Sequence, residues 1–214
     1  IRKILGYNVG RILKIKRKVV ISIMERRNAW LSYKEADEKA LEKLAKDYRT
    51  FLDNGKTERE CVSELSKEAE AAGYVSLDKK LASGEKIQTG DKIYAVGMKK
   101  IMVLFHIGEE PMEKGMNILG AHIDSPRLDV KQNPLYEDTD LAYLDTHYYG
   151  GVKKYHWVAL PLAIHGVIVK KDGTVVNVTV GEDEDDPVVY ITDLLIHLAG
   201  KQLQKKAAEV IEGE

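Results

Sequence analysis

The sequence predicts a mixed α/β fold. Three observations carry this. Apolar residues recur at helical spacing early in the chain, two short apolar runs stand close together at 93–105, and a strand-rich stretch extends from about 135 to 191.

The elements follow in order. From Met24 to Leu52 the chain is charged, with Ala36, Ala40, Leu41, Leu44, Tyr48, Phe51 and Leu52 recurring as a helix requires, and Asn54-Gly55 ends the pattern. Thr57-Glu58-Arg59-Glu60 reads as a capping box, in which the Thr57 hydroxyl and the Glu60 carboxylate satisfy the first free amides of a second helix. That helix carries Val62, Leu65 and Ala69 on one face and stops near Gly73, the expected C-terminal cap. Residues 76–91 are polar and read as irregular. The runs 93–96 and 101–105 flank Gly97 and the Lys99-Lys100 pair, which predicts a hairpin. The short apolar run 117–122 reads as a buried strand. Residues 141–149 are extended until Gly150-Gly151, and the apolar run 157–169 is interrupted by Pro161. Lys171-Asp172-Gly173 turns into 175–180, which alternates as a half-buried strand should. Residues 182–186 form a solvated acidic loop, and 191–199 are expected to be helical, with Thr192 or Asp193 near the N-terminus. No linker separates the helical and strand-rich regions, so the second could be inserted into the first.

Composition narrows the class. The 214 residues can fill one large domain or two small ones, and 44% hydrophobic with 31% charged residues is ordinary for a globular protein. The lone cysteine, Cys61, excludes a disulfide framework and favours a cytoplasmic setting. No run approaches the roughly 18 apolar residues of a membrane span. The net charge of −1 hides an asymmetry: residues 1–23 hold seven basic residues and no acid, leaving 26 basic against 34 acidic residues elsewhere. A body that acidic is a poor ligand for nucleic-acid phosphates. The basic first segment opens with Ile1, and its apolar stretch 19–23 is too short for a signal-peptide core. It reads either as an amphipathic helix at a membrane surface or as upstream sequence translated in frame. The second is preferred, with Met24 as the start, so no membrane partner is expected.

Chemistry is concentrated at Ala121-His122-Ile123-Asp124-Ser125-Pro126-Arg127-Leu128-Asp129. On extended chain, residues two apart point to the same side. His122 could then ligate a metal through one ring nitrogen while Asp124 orients it from behind. Alone the pair is weak, since Asp124 and Ser125 could equally close a turn before Pro126.

The wider context resembles the M18 (aspartyl aminopeptidase-like) family of metallo-aminopeptidases, in its bacterial branch. The segment from Gly120 to Asp129, then Lys131-Gln132-Asn133-Pro134-Leu135, is similar to the family's first metal motif. The resemblance continues through His147-Tyr148-Tyr149-Gly150-Gly151-Val152-Lys153-Lys154-Tyr155-His156-Trp157 and Ile191-Thr192-Asp193-Leu194-Leu195-Ile196-His197-Leu198, and begins at Glu25-Arg26-Arg27-Asn28-Ala29-Trp30. Residues 1–23 lie outside it. The resemblance implies a phosphorylase-like α/β peptidase domain, incomplete here, with an inserted β-rich dimerisation domain. Residues 24–130 would be the first part of the peptidase domain, 131–200 the insertion, and 201–214 the start of the return. It implies two zinc ions, with cobalt or manganese as substitutes, peptide substrates with acidic N-terminal residues among those favoured, and a homo-oligomer built from dimers. His122 would be a terminal metal ligand and Asp124 the carboxylate behind it. His197 would be either a zinc ligand or, the preferred role, a donor reaching the partner subunit's active site to stabilise the oxyanion.

Other histidines carry less. His156 is expected to pack, His147 and His165 to be satisfied core or interface residues, and His106 is assigned nothing. Cys61 reads as a small buried residue. Glu109-Glu110 reads as a solvated pair. The bridging carboxylate, second histidine and general-base glutamate of a co-catalytic site are implied beyond Glu214, so the chain alone is expected to be inactive and to expose apolar sheet surface. Two alternatives stand beside the peptidase: a non-catalytic dimerisation and assembly module, and a related metal-dependent deacylase, against which the Gly150–Trp157 segment argues.

Overall fold

A computed structural model of the protein describes residues 28–211, so the expectations for residues 1–23 lie outside the described part. The chain divides into two compact units, 1–46 and 47–214. In the first, Asn28 caps a 3-10 turn, Ala29–Ser32, by accepting the Trp30 amide at 3.1 Å. The first α-helix, α1 (Glu35–Asn54), has Glu35, Asp37 and Glu38 in its first turn, where negative charge suits the helix dipole. None of its residues is buried.

The second unit is organised by α2 (Glu58–Ala71). Its capping box is formed: Thr57 Oγ1 accepts the Glu60 amide at 3.3 Å, and Glu60 Oε2 accepts the Thr57 amide at 2.8 Å. Its far end closes as a Schellman motif. Gly73, at φ 86°, donates to the Glu70 carbonyl and Tyr74 to the Ala69 carbonyl. Between the caps, Cys61, Val62 and Ala69 are buried. They pack towards a three-stranded sheet in which β1 (Val75–Ser76) runs parallel to β2 (Lys92–Gly97), itself antiparallel to β3 (Ile101–His106). Ile93, 2% exposed, and Tyr94 complete this small core, and the Tyr94 hydroxyl donates to Glu70 at 2.8 Å. The predicted hairpin is β2–β3. It turns through Met98 and Lys99, both at positive φ as a type I′ turn requires.

Two further hairpins follow. The first pairs β4 (Arg127–Asp138) with β5 (Leu141–Tyr149), and the second pairs β6 (Ile164–Val169) with β7 (Val175–Val180). The β4–β5 register shifts between Val130 and Leu135. Pro134, which has no amide to give the ladder, lies in this stretch. The 170–174 turn forms as read, with Asp172 Oδ1 accepting the Thr174 amide at 2.9 Å.

Three expectations fail. Residues 76–91 include a helix, α3 (Leu77–Ser83), stopped by Gly84 in the left-handed region. Leu77 and Leu81 are one helical turn apart, which a scan for polar irregularity passes over. Residues 117–122 form no strand and lie exposed, Leu119 at 98%. An apolar run becomes a buried strand only beside a ladder partner, and none of the described strands pairs with this one. Residues 191–199 are not helical: Ile191 forms an isolated bridge with Val158, and single turns follow, such as Leu198 N to Leu195 O at 2.8 Å. Leu194, Leu195, Ile196 and Leu198 are all exposed, so no buried face stabilises a helix there.

The β6–β7 hairpin is tied to α2 by His165, whose side chain is 13% exposed. Its Nδ1 lies 2.8 Å from Glu60 Oε1 and its Nε2 2.8 Å from Glu182 Oε1. Ionised carboxylates only accept, so both ring nitrogens donate and the ring is an imidazolium. Burial opposes that charge, but the hydrogen bonds to Glu60 and Glu182 outweigh it and raise the His165 pKa. Burial also opposes ionisation of Glu60, and the bonds from His165 and Thr57 outweigh it and lower its pKa.

Two outcomes follow. Thr57→Ala is expected to lose about 1 kcal/mol of stability in urea denaturation, with Thr57→Ser retaining most of it. The His165 bridge is expected to be pH-dependent. A raised histidine pKa contributes stability below its ordinary 6.5, lost as pH rises through the raised value. A lowered carboxylate pKa contributes above its ordinary 4.5, lost as pH falls through the lowered value. The stability difference between the protein and His165→Gln, followed by thermal denaturation, should therefore be greatest between pH 4.5 and 6.5 and shrink on either side.

Candidate metal-ligand site

The segment 121–126 has no regular structure and leads directly into β4. Its conformation is held by contacts from α2 and β5. Cys61 Sγ, buried as expected, lies 3.7 Å from the Ile123 carbonyl. Burial pushes the Cys61 thiol pKa up, and the nearby Glu60 and Glu58 charges add to that, so it stays a thiol donor. Arg127, the first residue of β4, donates to Asp129 at 2.7 Å and to Glu58 of α2 at 3.0 Å. Its guanidinium lies 4.2 Å from the centre of the Tyr149 ring, which is its cross-strand partner. Gly150, at φ 78°, brings the backbone beside Pro126, where a Cβ would meet Pro126 Cα at 3.4 Å.

Within this frame His122 and Asp124 meet. His122 Nδ1 lies 3.0 Å from both Asp124 Oδ1 and the Asp124 carbonyl oxygen. Both partners accept, so Nδ1 carries a proton, and in the neutral ring Nε2 has the lone pair. The His122 side chain is 84% exposed. The other Asp124 oxygen, Oδ2, accepts the Tyr149 hydroxyl at 3.0 Å. That bond, then the one from His122, holds the Asp124 pKa below its ordinary value, while the same contact raises that of Tyr149.

This is the donor chemistry of one zinc ligand backed by a carboxylate. Among the described residues no group of three or more histidine, cysteine, aspartate or glutamate side chains is placed to hold a metal ion. The residues present thus fit one ligand of a metal centre, not a closed shell. His197 lies exposed in the turns after Ile191, and no hydrogen bond or ion pair joins it to His122 or Asp124.

The remaining histidines sit apart. His156 is exposed and packs edge-on against Tyr155 at 4.5 Å. His147 is on β5 but on exposed surface, with Nδ1 3.2 Å from the Tyr148 carbonyl, because no further strand joins this two-stranded sheet. Glu109 and Glu110 are solvated, and Glu110 pairs with Lys114. Nothing local in the sequence marks Tyr149, Glu58 or Arg127 as supports of this pair. Tyr149 sits at the strand end marked by Gly150-Gly151, but its distance from Asp124 in the chain hides the contact.

Comparison with known proteins places these features. A family model described as aminopeptidase I zinc metalloprotease (M18) matches residues 51–213. A probable M18 family aminopeptidase 1 of Clostridium acetobutylicum is 60% identical over 192 residues, covering 90% of this chain and 41% of the relative. The crystal structure of aminopeptidase I from Clostridium acetobutylicum superposes with a TM-score of 0.75 at 58% identity, covering 87% of this chain and 41% of that one. An M18-family aminopeptidase structure from Thermotoga maritima gives 0.77 at 40% identity, covering 87% and 39%. The chain thus spans about two-fifths of the length of the relatives it matches. With its family match, its relatives and its fold in agreement, the chain belongs to the M18 family of zinc metalloproteases.

Proposed function

We propose that this chain is part of a zinc-dependent aminopeptidase that removes N-terminal residues, acidic ones among them, from peptides. The observation that carries the proposal is the His122–Asp124 pair, with Nδ1 donating to a carboxylate and Nε2 left available, in a chain of the M18 family. Zinc, when bound, supplies Lewis acidity at the scissile carbonyl. His122 would hold one coordination position through Nε2. Asp124 accepts the Nδ1 proton, which fixes the tautomer and the ring plane and makes Nε2 a better donor. Residues 131–200 are taken as an inserted dimerisation domain, supported by the hairpins β4–β5 and β6–β7. His197, exposed and unconnected to His122, is suited to reach a second subunit, where it would donate to the oxyanion. The further metal ligands and the general base are assigned to the part of the relatives' length that this chain does not span, and the chain alone is expected to be inactive.

The test uses a full-length chain carrying these residues. It should release N-terminal residues from peptides, lose activity to a chelator, and recover it with zinc. His122→Ala should lose both zinc and activity. His197→Ala should lose activity while keeping its zinc, and mixed oligomers of the two variants should regain part of the activity, because the His122→Ala subunit supplies His197 to its partner's zinc-bearing site. Full-length protein that assembles but binds no zinc and cleaves no peptide would instead favour the assembly-module reading. Loss of zinc in His197→Ala would make that residue a ligand.

A further inference from the structure

The His122–Asp124 pair sits on chain without regular structure, and His122 is 84% exposed. A hydrogen bond between two such side chains does not by itself hold a geometry, because the Asp124 carboxylate can turn and present either oxygen, or neither, to the ring. Something must fix the second oxygen. The Tyr149 hydroxyl is the group that does so, donating to Oδ2 while Oδ1 faces His122.

Tyr149 is itself well anchored. It ends β5 directly opposite Arg127, three residues after Asp124. The Arg127 guanidinium covers its ring at 4.2 Å, and that guanidinium is held in turn by Glu58 and Asp129. The next residue, Gly150, turns the chain against Pro126. The hydroxyl therefore approaches Asp124 from a rigid ladder, whereas Asp124 and His122 sit on a loop. A hydroxyl donor also has the right polarity: with Oδ2 accepting from Tyr149, Oδ1 faces the ring as an acceptor.

We propose that Tyr149 is the positioning residue of the His122–Asp124 pair, its hydroxyl holding the Asp124 carboxylate so that Oδ1 accepts the hydrogen bond from His122 Nδ1–H and Nε2 is left for the metal. This rests on the proposed zinc-ligand role of His122, and it gives β5 a part in the metal site. Tyr149 touches neither metal nor peptide; it acts through Asp124.

The test is Tyr149→Phe, which keeps the ring under Arg127 and removes only the hydroxyl, in the full-length protein. Zinc affinity, measured by chelator competition, should fall roughly tenfold, as expected for loss of an outer hydrogen bond. kcat should fall with it, while KM stays within about twofold, the scatter of uncoupled sites. In an Asp124→Asn background the same substitution should add nothing further. In metal-free protein, the 15N spectrum of the His122 ring should show the proton on Nδ1, and Tyr149→Phe should yield a mixture of tautomers. Zinc affinity and tautomer both unchanged in Tyr149→Phe would overturn the proposal. So would an equal loss in the Asp124→Asn background, which would mark a general structural effect. If the wild-type protein binds no zinc, the function proposed above fails, and the tautomer comparison still decides the role of Tyr149: a wild-type ring protonated on Nε2 would overturn it.

Discussion

The first turn of α2 is the constraint on which the rest of the second unit depends. Thr57 and Glu60 satisfy each other's backbone amides and so fix a turn that would otherwise fray. Successive residues on a helix diverge by about 100°, so the three side chains of this short turn leave in different directions. Glu58 reaches Arg127 at the start of β4, Glu60 reaches His165 on β6, and Cys61 turns inward against the Ile123 carbonyl. One capped turn therefore holds the metal-motif segment and the last hairpin at once. Glu60 serves both purposes, with Oε2 in the cap and Oε1 on His165.

The second unit is joined more by charge than by apolar packing. Only six hydrophobic side chains are buried among the described residues, and no buried side-chain nitrogen or oxygen there lacks a partner. Charge-assisted bonds are directional, so they set geometry where a thin core cannot. The chain of contacts from Glu58 through Arg127 and Tyr149 to Asp124 and His122 passes orientation from a helix to an exposed ring. The ring stays open to solvent, as the proposed ligand role requires.

Ile101, Leu104 and Phe105 of β3, and Ile118 and Leu119 beyond it, are exposed. The same condition explains both failed predictions of regular structure in apolar runs. Residues 117–122 and 191–199 have the composition of buried elements, but 117–122 and 192–198 all lie exposed, and only Ala199 is buried. Regular structure in short apolar segments follows burial more than propensity.

Local chemistry was therefore legible in the sequence: the capping box at Thr57 and Glu60, the Gly73 stop, the hairpin turns near 97–101 and 171–173, and the placement of His122 beside Asp124. Each depends on residues within a few positions of one another, where chain geometry leaves few alternatives. The inserted helix α3 was missed because its apolar pair lay within a polar stretch. The sequence did not reveal that Tyr149 meets Asp124, that Arg127 bridges Glu58 and Asp129, or that His165 stands between Glu60 and Glu182. Those contacts join residues up to 105 positions apart. A side chain's partner at that range is set by how the strands pair and where α2 docks, and only the tertiary structure decides it.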